Sequence, residues 1–363
     1  MKAIWNKVKT WMNTDNHLLW VSTMALIALG LIGMFFIGPY EAARLNMETD
    51  IFFNKYLPFV IAGIVLLFAF SKLSKKWIIR LSWILGAFAF LLILKTIIAP
   101  IIILGTARYV RLGYAYIDPF IMMLPAYIVL MSHWLSKDKA NKTWTTIGTT
   151  ALTLFIVLAA FRAPYVFMAQ VYMLLFIIMT FKARKNVPGA FYLGIGTLVA
   201  FAALMILAAF TMPHVQTRLM YLVENNPMYS QSWYAVKALT HSTLIGSTPE
   251  SLAALKALPE SVSDYMFTGM VAKFGILMGL LILTLYGFIA KGLANIIRNT
   301  KDQFNKMLSI GTLWLFAIYT IVALIVAFGI LATAAYWPFI NYGGTMLFAW
   351  CILFGFVIAA NRK

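Results

Sequence analysis

The amino-acid sequence predicts an all-α polytopic membrane protein with about ten transmembrane helices. Its composition is 63% hydrophobic and only 11% charged, whereas a soluble domain carries about 25% charged residues. Apolar runs long enough to span a membrane recur along the chain, and basic clusters occupy alternate connections between them. We therefore expect residues 1–363 to form a single integral membrane domain with both termini in the cytoplasm.

Each predicted span is an apolar run close to the about 20 residues that cross hydrocarbon as a helix. The predicted spans are 18–40, 56–71, 77–98, 116–135, 145–162, 164–182, 190–212, 266–290, 304–331 and 338–360. The fifth and sixth meet at Arg162–Pro164, where we expect a tight hairpin, and the stretch Thr106–Tyr116 is too polar to span. The long segment 213–263, between the seventh and eighth spans, predicts an extracytoplasmic loop with short interfacial helices.

Lysine and arginine residues cluster in every second connection, and this bias sets the expected orientation. The clusters lie within 2–9, 72–80, 137–142, 182–185, 291–306 and 362–363. Most acidic residues fall in the other connections. The alternation predicts an even number of spans. It also explains the net charge of +18 by contact with anionic lipid headgroups rather than with nucleic acid.

Ionisable residues inside or beside the spans are the candidates for function, because they are costly there. The set is Lys95, Arg108, Arg111, Asp118, Arg162, Lys237, Glu260, Asp264 and Lys273. All but Lys273 lie near the outer ends of their segments, so they predict an outward-facing polar cavity. Its cations suit a polyanionic headgroup such as a diphosphate. The alternative is that these side chains snorkel to the interface or form structural ion pairs.

Each of three local sequence patterns has two possible interpretations. Asp264 follows Pro259 and a serine-containing turn, so it is either a helix N-cap or a general base at the cavity mouth, with Glu260 as a second carboxylate. Lys273 lies about two turns into the next helix, where it faces the cavity or binds a helix carbonyl. The stretch Trp337–Met346 is either broken backbone that lines a cavity or a helix start with a flexible first turn.

Four stretches, which follow one another along the chain as they do in the family, resemble the SEDS family (shape, elongation, division and sporulation). This family comprises the FtsW, RodA and SpoVE proteins. The most specific is Pro338-Phe-Ile-Asn-Tyr-Gly-Gly-Thr345, which is similar to the family's Pro-Phe-Ile-Ser-Tyr-Gly-Gly-Ser. The others are Gln231-Ser232 with Gly246, Leu258-Pro-Glu260 and Asp264-Tyr265 in the large loop, then Gly105–Val110, then Asp50–Lys55. The resemblance covers nearly the whole chain.

This resemblance implies a peptidoglycan glycosyltransferase that polymerises lipid II, an undecaprenyl-diphosphate disaccharide-peptide, on the outer face of the bacterial cytoplasmic membrane. It implies a class B penicillin-binding protein as partner, with other divisome or elongasome membrane proteins, in cell division or elongation. Asp264 matches the family's essential carboxylate, the proposed base, and Arg108 would hold the diphosphate. Position alone suggests further substrate contacts at Lys237, Lys273, Glu260, Arg162 and Asp118. No cofactor is required by the pattern, and assistance from a divalent cation, Mg²⁺ or Mn²⁺, stays open.

The sequence departs from the family pattern at several polar positions. The family's Gln-Pro-Ser-Glu, followed by a Lys, is matched by Asp118-Pro-Phe-Ile121 and Leu124. Its Pro-Asp-x-Gly is matched by Pro164-Tyr-Val-Phe167, and its Glu-Glu-Leu-Gly by Ala272-Lys-Phe-Gly275. Two other functions are therefore open: a catalytically inert scaffold that recruits a transpeptidase, and a flippase for the lipid-linked precursor.

Overall fold

Long apolar runs fold into helices because hydrocarbon offers the backbone no hydrogen-bond partner outside the segment. The computed structural model describes residues 15–103, 106–113, 115–136, 142–183, 231–331 and 336–362, with a few single positions between 196 and 210. Within these residues the helices are α1 Asp15–Arg44, α2 Ile51–Phe70, α3 Lys75–Ile98, α4 Pro119–Leu135, α5 Lys142–Arg162, α6 Val166–Ala183, α7 Gln231–Thr240, α8 Pro249–Ala257, α9 Met266–Phe274, α10 Ile276–Asn299, α11 Gln303–Ala327 and α12 Gly344–Ala360.

Seven of these helices, α1 to α3, α5, α6, α10 and α11, are long and apolar enough to cross a membrane. The polytopic helical fold predicted from the sequence is confirmed. Two further apolar helices, α4 and α12, contain 17 residues each, which corresponds to about 25 Å. They fall short of a hydrocarbon core of about 30 Å. The predicted span 190–212 lies almost entirely outside the described residues.

Three predicted boundaries are corrected by the structure. The span 266–290 is interrupted at Gly275, where φ is +96°, so α9 and α10 are separate helices. The span 338–360 becomes helical only at Gly344. The span 116–135 becomes helical at Pro119, because the carboxylate of Asp118 accepts hydrogen bonds from the backbone N–H groups of Phe120 and Ile121 and caps the helix there.

The connection between α3 and α4 is a small antiparallel sheet, which an all-α prediction does not include. Its strands are β1 Ile101–Ile103, β2 Thr106–Leu112 and β3 Ala115–Ile117, in the order β1-β2-β3. Arg111 lies opposite Tyr116, and the Ala107 N–H donates to the Ala163 carbonyl in the α5–α6 hairpin at 3.2 Å. The sheet is thereby attached to the hairpin predicted at Arg162–Pro164.

Contacts between helix ends show which connections share a side of the molecule. Lys75 Nζ lies 2.8 Å from the Asp302 carboxylate, so the α2–α3 and α10–α11 connections adjoin. Asn16 Nδ2 donates to the Asn361 carbonyl at 3.2 Å, and the Thr300 hydroxyl donates to Asn361 Oδ1 at 2.8 Å. The start of α1 and the end of α12 therefore lie on one side, together with basic connections that the charge pattern assigns to the cytoplasm.

Candidate functional site

The short helix α9 lies beside the outer half of α1. Met266 and Met270 pack against Gly33, and Gly269 packs against Ile37. Lys273, near the end of α9, donates to the Tyr40 hydroxyl, so α9 runs in the same direction as α1. The turn before α9 instead contacts Glu41, which is eight residues, or about 12 Å, beyond Gly33 along α1. The chain therefore descends through residues 259–265 and returns outward along α9, and Asp264 lies near the deepest point of this path.

The turn that carries Asp264 is anchored on two sides. Glu41, only 3% exposed, accepts hydrogen bonds from the backbone N–H groups of Glu260 and Ser261, both at 3.3 Å. On the other side, the Tyr342 N–H donates to the Val262 carbonyl at 2.8 Å. Asp264 is half-buried. The N-cap residue of α9 is Tyr265, so the interpretation of Asp264 as the N-cap is not supported.

Arg108 on β2 lies among three tyrosine rings. Its guanidinium carbon is 4.8 Å from the ring centroids of Tyr109 and Tyr165 and 5.8 Å from that of Tyr336. The Nε atom is shielded from solvent and has no hydrogen-bond partner among the described residues. Aromatic faces attract a cation through their quadrupole, so the rings hold the guanidinium in place while Nε stays available as a donor to another group.

Asp118 is the carboxylate next to Arg108. It is 2% exposed, and its Oδ1 accepts from the N–H groups of Phe120 and Ile121 at 3.0 and 3.2 Å. Its Oδ2 is buried. Burial raises the pKa of Asp118 from its ordinary value of 3.8 to about 6, although Arg108, the two N–H groups and the Tyr165 hydroxyl act in the opposite direction. Asp118 precedes α4 and is outside that helix.

Asp264 and Arg108 act on the same tyrosine. Burial raises the pKa of the Tyr336 hydroxyl, Arg108 lowers it, and Asp264 raises it. Burial likewise raises the pKa of Tyr109, Arg108 lowers it, and Glu260 contributes a small rise. The turn before α9 and the β2 strand thus act electrostatically on the same tyrosines. We call the guanidinium and its surroundings the Arg108 site (Arg108, Asp118, Tyr109, Tyr165 and Tyr336).

A non-helical segment that precedes α12 lies beside this site. The Pro338 and Phe339 carbonyls accept hydrogen bonds from the Tyr286 and Tyr56 hydroxyls at 2.5 and 3.4 Å. Trp337 stacks on Phe267 of α9 with ring centroids 4.7 Å apart. The segment is buried in protein, which is where non-helical backbone is tolerated at membrane depth. Of the two interpretations of Trp337–Met346, the broken backbone is the one observed.

The other predicted site residues have different neighbours. Lys273 donates to the Tyr40 hydroxyl at 3.2 Å, rather than facing a helix carbonyl. The Lys237 ammonium lies 4.8 Å from the ring centroid of Trp233 on its own helix. Arg162 is exposed at the end of α5. Glu260 accepts a hydrogen bond from the Ser263 hydroxyl within the turn. Asp118 acts electrostatically on Arg108, Asp264 acts on Tyr336 and Glu260 acts on Tyr109, whereas Lys273 and Lys237 have aromatic partners of their own.

The sequence interpretation missed two residues that shape the site. Glu41 is absent from the candidate set, although an acidic residue at the end of an apolar run is a usable signal. Tyr336 precedes the family-like motif and carries no signal of its own, because a tyrosine in apolar sequence is most often a packing residue.

The described part of the chain contains no dedicated set of metal ligands. No group of three or more His, Cys, Asp or Glu side chains is arranged there to hold an ion. Asp118 and Asp264 are single carboxylates on different segments, and octahedral Mg²⁺ is usually held by one or two carboxylates together with substrate phosphates.

Comparisons with known proteins agree with this architecture. The chain is 25% identical over 362 residues to the probable peptidoglycan glycosyltransferase FtsW of Caulobacter vibrioides, covering 97% of this chain and 90% of the relative. It is 24% identical over 361 residues to the stage V sporulation protein E of Bacillus subtilis, covering 95% and 96%.

Solved structures show the same fold. A chain from a peptidoglycan synthase complex, described as coordinating polymerization and crosslinking, matches with a TM-score of 0.77 at 19% identity and covers 97% of this chain and 98% of that one. The rod shape determining protein RodA of Thermus thermophilus matches with a TM-score of 0.69 at 18% identity over the same shares. The FtsW/RodA/SpoVE profile, described as cell cycle protein, matches residues 16–363. The chain therefore belongs to the FtsW/RodA/SpoVE, or SEDS, family of membrane proteins of cell division and cell shape.

Proposed function

We propose that this protein is a peptidoglycan glycosyltransferase that polymerises lipid II on the outer face of the bacterial cytoplasmic membrane. The proposal is carried by one carboxylate, Asp264, and one caged cation, Arg108, which both act electrostatically on Tyr336, whose ring centroid lies 5.8 Å from the guanidinium carbon. Sugar transfer from a diphosphate needs both groups: a base for the attacking hydroxyl and a cation for the leaving group. The curated relatives named as probable peptidoglycan glycosyltransferases support the same reaction class.

In this mechanism Asp264 accepts the proton of the acceptor sugar hydroxyl as that oxygen attacks the anomeric carbon of the donor. The new glycosidic C–O bond forms while the bond from the anomeric carbon to the diphosphate breaks. The electron pair of the broken bond leaves with undecaprenyl diphosphate. Arg108 binds the diphosphate oxygens, since its charge is permanent and its Nε has no hydrogen-bond partner among the described residues.

A class B penicillin-binding protein is the partner we propose. The solved peptidoglycan synthase complex that this chain resembles is described as joining polymerization with crosslinking. A transpeptidase at the outer membrane face would receive glycan strands where they leave the Arg108 site. Division and elongation complexes are both compatible with this arrangement.

The test uses the purified full-length protein with its candidate transpeptidase, reconstituted with lipid II, and resolves products by chain length. The wild type is expected to make glycan strands, and Asp264→Ala is expected to make none while it still folds and binds the partner. Glu250→Gln is the matched control, because Glu250 is an exposed carboxylate at the start of α8, and it should polymerise normally. Strand synthesis by Asp264→Ala would remove Asp264 from the mechanism.

The same assay separates the two other functions. A wild type that binds the transpeptidase but makes no polymer is expected of an inert scaffold. Transfer of the lipid II headgroup across the bilayer without polymer formation is expected of a flippase. The site argues against a flippase, because the charged residues that meet at Arg108 lie beside helix starts of one membrane half rather than along a path across the bilayer.

A further inference from the structure

Glu41 is a buried carboxylate near the outer end of α1 that the proposed mechanism does not use. It is 3% exposed, and both of its oxygens are occupied. Oε1 accepts from the Glu260 N–H at 3.3 Å and from Arg44. Oε2 accepts from the Ser261 N–H at 3.3 Å and from the Ser261 hydroxyl at 3.1 Å. A buried charge is tolerated only where it is paired and hydrogen-bonded in this way.

The groups that Glu41 binds belong to the turn that carries Asp264. Residues Glu260 and Ser261 lie between α8 and α9 and outside any helix or strand. Ser261 is fully buried, so without Glu41 its N–H would be a buried donor that lacks an acceptor, which costs free energy. The Glu260 N–H would lose the same partner. Glu260 also has a φ of +58°, a conformation that a residue with a side chain keeps only when its surroundings impose it. Glu41 supplies that constraint from a different part of the chain.

A second anchor acts on the opposite side of the turn. The Tyr342 N–H, from the segment before α12, donates to the Val262 carbonyl at 2.8 Å. Inside the turn, the N–H groups of Ser263 and Tyr265 both donate to the Glu260 carbonyl at 3.1 Å. Asp264 thus follows a backbone that is fixed at Glu260–Ser261 by α1 and at Val262 by the α12 approach.

We propose that Glu41 is a positioning residue, whose carboxylate holds the 259–265 turn so that Asp264 faces Arg108. This inference rests on the proposed function, because the position of Asp264 affects turnover only if Asp264 acts in the reaction. Glu41 itself touches neither substrate nor reacting atoms. Arg44 pairs with the same carboxylate and balances its charge.

The effect is expected in turnover rather than in substrate affinity. A misplacement of about 1 Å in a catalytic group can lower the rate by about 100-fold. Arg108, which would hold the diphosphate, is attached to β2 and not to the turn. We therefore expect Glu41→Gln to lower kcat by at least about tenfold and to leave KM nearly unchanged.

Glu41→Gln is the informative variant because glutamine keeps the shape of the side chain but has only one acceptor oxygen. Its NH₂ group would face a group that donates to the Glu41 carboxylate in the wild type, so one of these hydrogen bonds is lost. Glu48→Gln is the matched control, since Glu48 is an exposed acidic residue in the connection after α1. Ser261→Ala removes only the hydroxyl contact and serves if Glu41→Gln does not fold; we expect a smaller loss of kcat.

Two measurements are made on each variant with the full-length protein and its transpeptidase. The first is kcat and KM for polymerisation of lipid II. The second is amide hydrogen exchange of residues 259–265, which reports the hold on the turn without any need for activity. The expected result is faster exchange in this turn and lower kcat in Glu41→Gln, with both quantities unchanged in Glu48→Gln.

Unchanged exchange in the turn would overturn the inference, whatever happens to activity. Faster exchange with an unchanged kcat would also overturn it, because the turn would then be held by Glu41 without consequence for Asp264. A wild type that makes no polymer, combined with faster exchange in Glu41→Gln, would refute the proposed function while the contact between Glu41 and the turn stands.

Discussion

At the residue scale, the site depends on one caged cation rather than on several free ones. The sequence predicted a cavity in which Arg108, Arg162, Lys237 and Lys273 converge. In the structure Lys237 and Lys273 contact aromatic residues on α7 and α1, and the guanidinium of Arg108 is enclosed by tyrosines. A half-buried cation is stabilised by negative charge in its surroundings. Asp118 contributes such an electrostatic effect on Arg108.

The pH dependence of stability follows from Asp118. Its folded-state pKa of about 6 lies above the ordinary value of 3.8, because burial disfavours the ionised form. The folded protein therefore binds this proton more tightly than the unfolded chain does, and the stabilisation is lost as pH rises from about 4 to about 6. We expect the wild-type unfolding temperature in detergent to fall across this window, and Asp118→Asn to remove that fall.

Asp302 provides a control of opposite sign. Burial, the largest single influence, would raise its pKa, but the hydrogen bond and charge of Lys75 together with the backbone N–H groups of Asn305 and Phe304 outweigh burial and lower it. Its contribution is therefore complete above the ordinary pKa of 3.8 and is lost as pH falls through the lower folded-state value. Asp302→Asn should leave the fall between pH 4 and 6 in place. An Asp118→Asn protein with the wild-type pH profile would contradict our assignment.

At the element scale, the break between α9 and α10 creates the re-entrant path that carries Asp264. Hydropathy predicted one continuous span over 266–290, since a single glycine in an apolar run gives no hydropathy signal. The break is built from backbone contacts with the preceding loop: the Gly246 N–H donates to the Phe274 carbonyl, and the Ile276 N–H donates to the Thr243 carbonyl, both at 2.9 Å.

Gly275 is the residue that this arrangement requires. Its φ of +96° favours glycine, and a Cβ there would lie 2.7 Å from the Ile245 Cα and the Leu244 carbonyl oxygen. We expect Gly275→Ala to destabilise the protein by about 1–3 kcal/mol and to lower polymerisation, measured by thermal unfolding and the lipid II assay. Gly287→Ala is the control, because a Cβ there meets nothing within 4 Å. Equal stability of the two variants would show that the break tolerates a side chain.

At the scale of the whole molecule, the contacts between helix ends and the distribution of charge assign the same connections to one side of the membrane. The ion pair between Lys75 and Asp302 joins two connections that the basic clusters independently assign to one side. The contact of Asn16 with Asn361 adds the beginning and end of the described chain to that side. An even number of spans follows from these contacts, whereas the orientation towards the cytoplasm still rests on charge alone.

Orientation is tested by labelling single introduced cysteines with a membrane-impermeant maleimide. The native Cys351 is buried, so the wild type should stay unlabelled and serves as the blank. Glu48→Cys should label in intact spheroplasts, whereas Lys301→Cys should label only after permeabilisation, because basic connections stay in the cytoplasm. Both residues are exposed. The reverse labelling pattern would place Asp264 on the cytoplasmic half and remove the proposed function.

The sequence by itself determined the membrane class, the approximate spans, the grouping of the basic connections and the candidacy of Asp264 and Arg108. These features depend on local hydropathy, local charge and short motifs. Only the tertiary structure decided the tyrosine cage around Arg108, the depth of α9 and the hold of Glu41 on the turn. Glu41 and Glu260 are 219 positions apart, and Arg108 receives its rings from β2, the α5–α6 hairpin and the approach to α12. Such contacts arise only when distant segments pack, so no local pattern contains them.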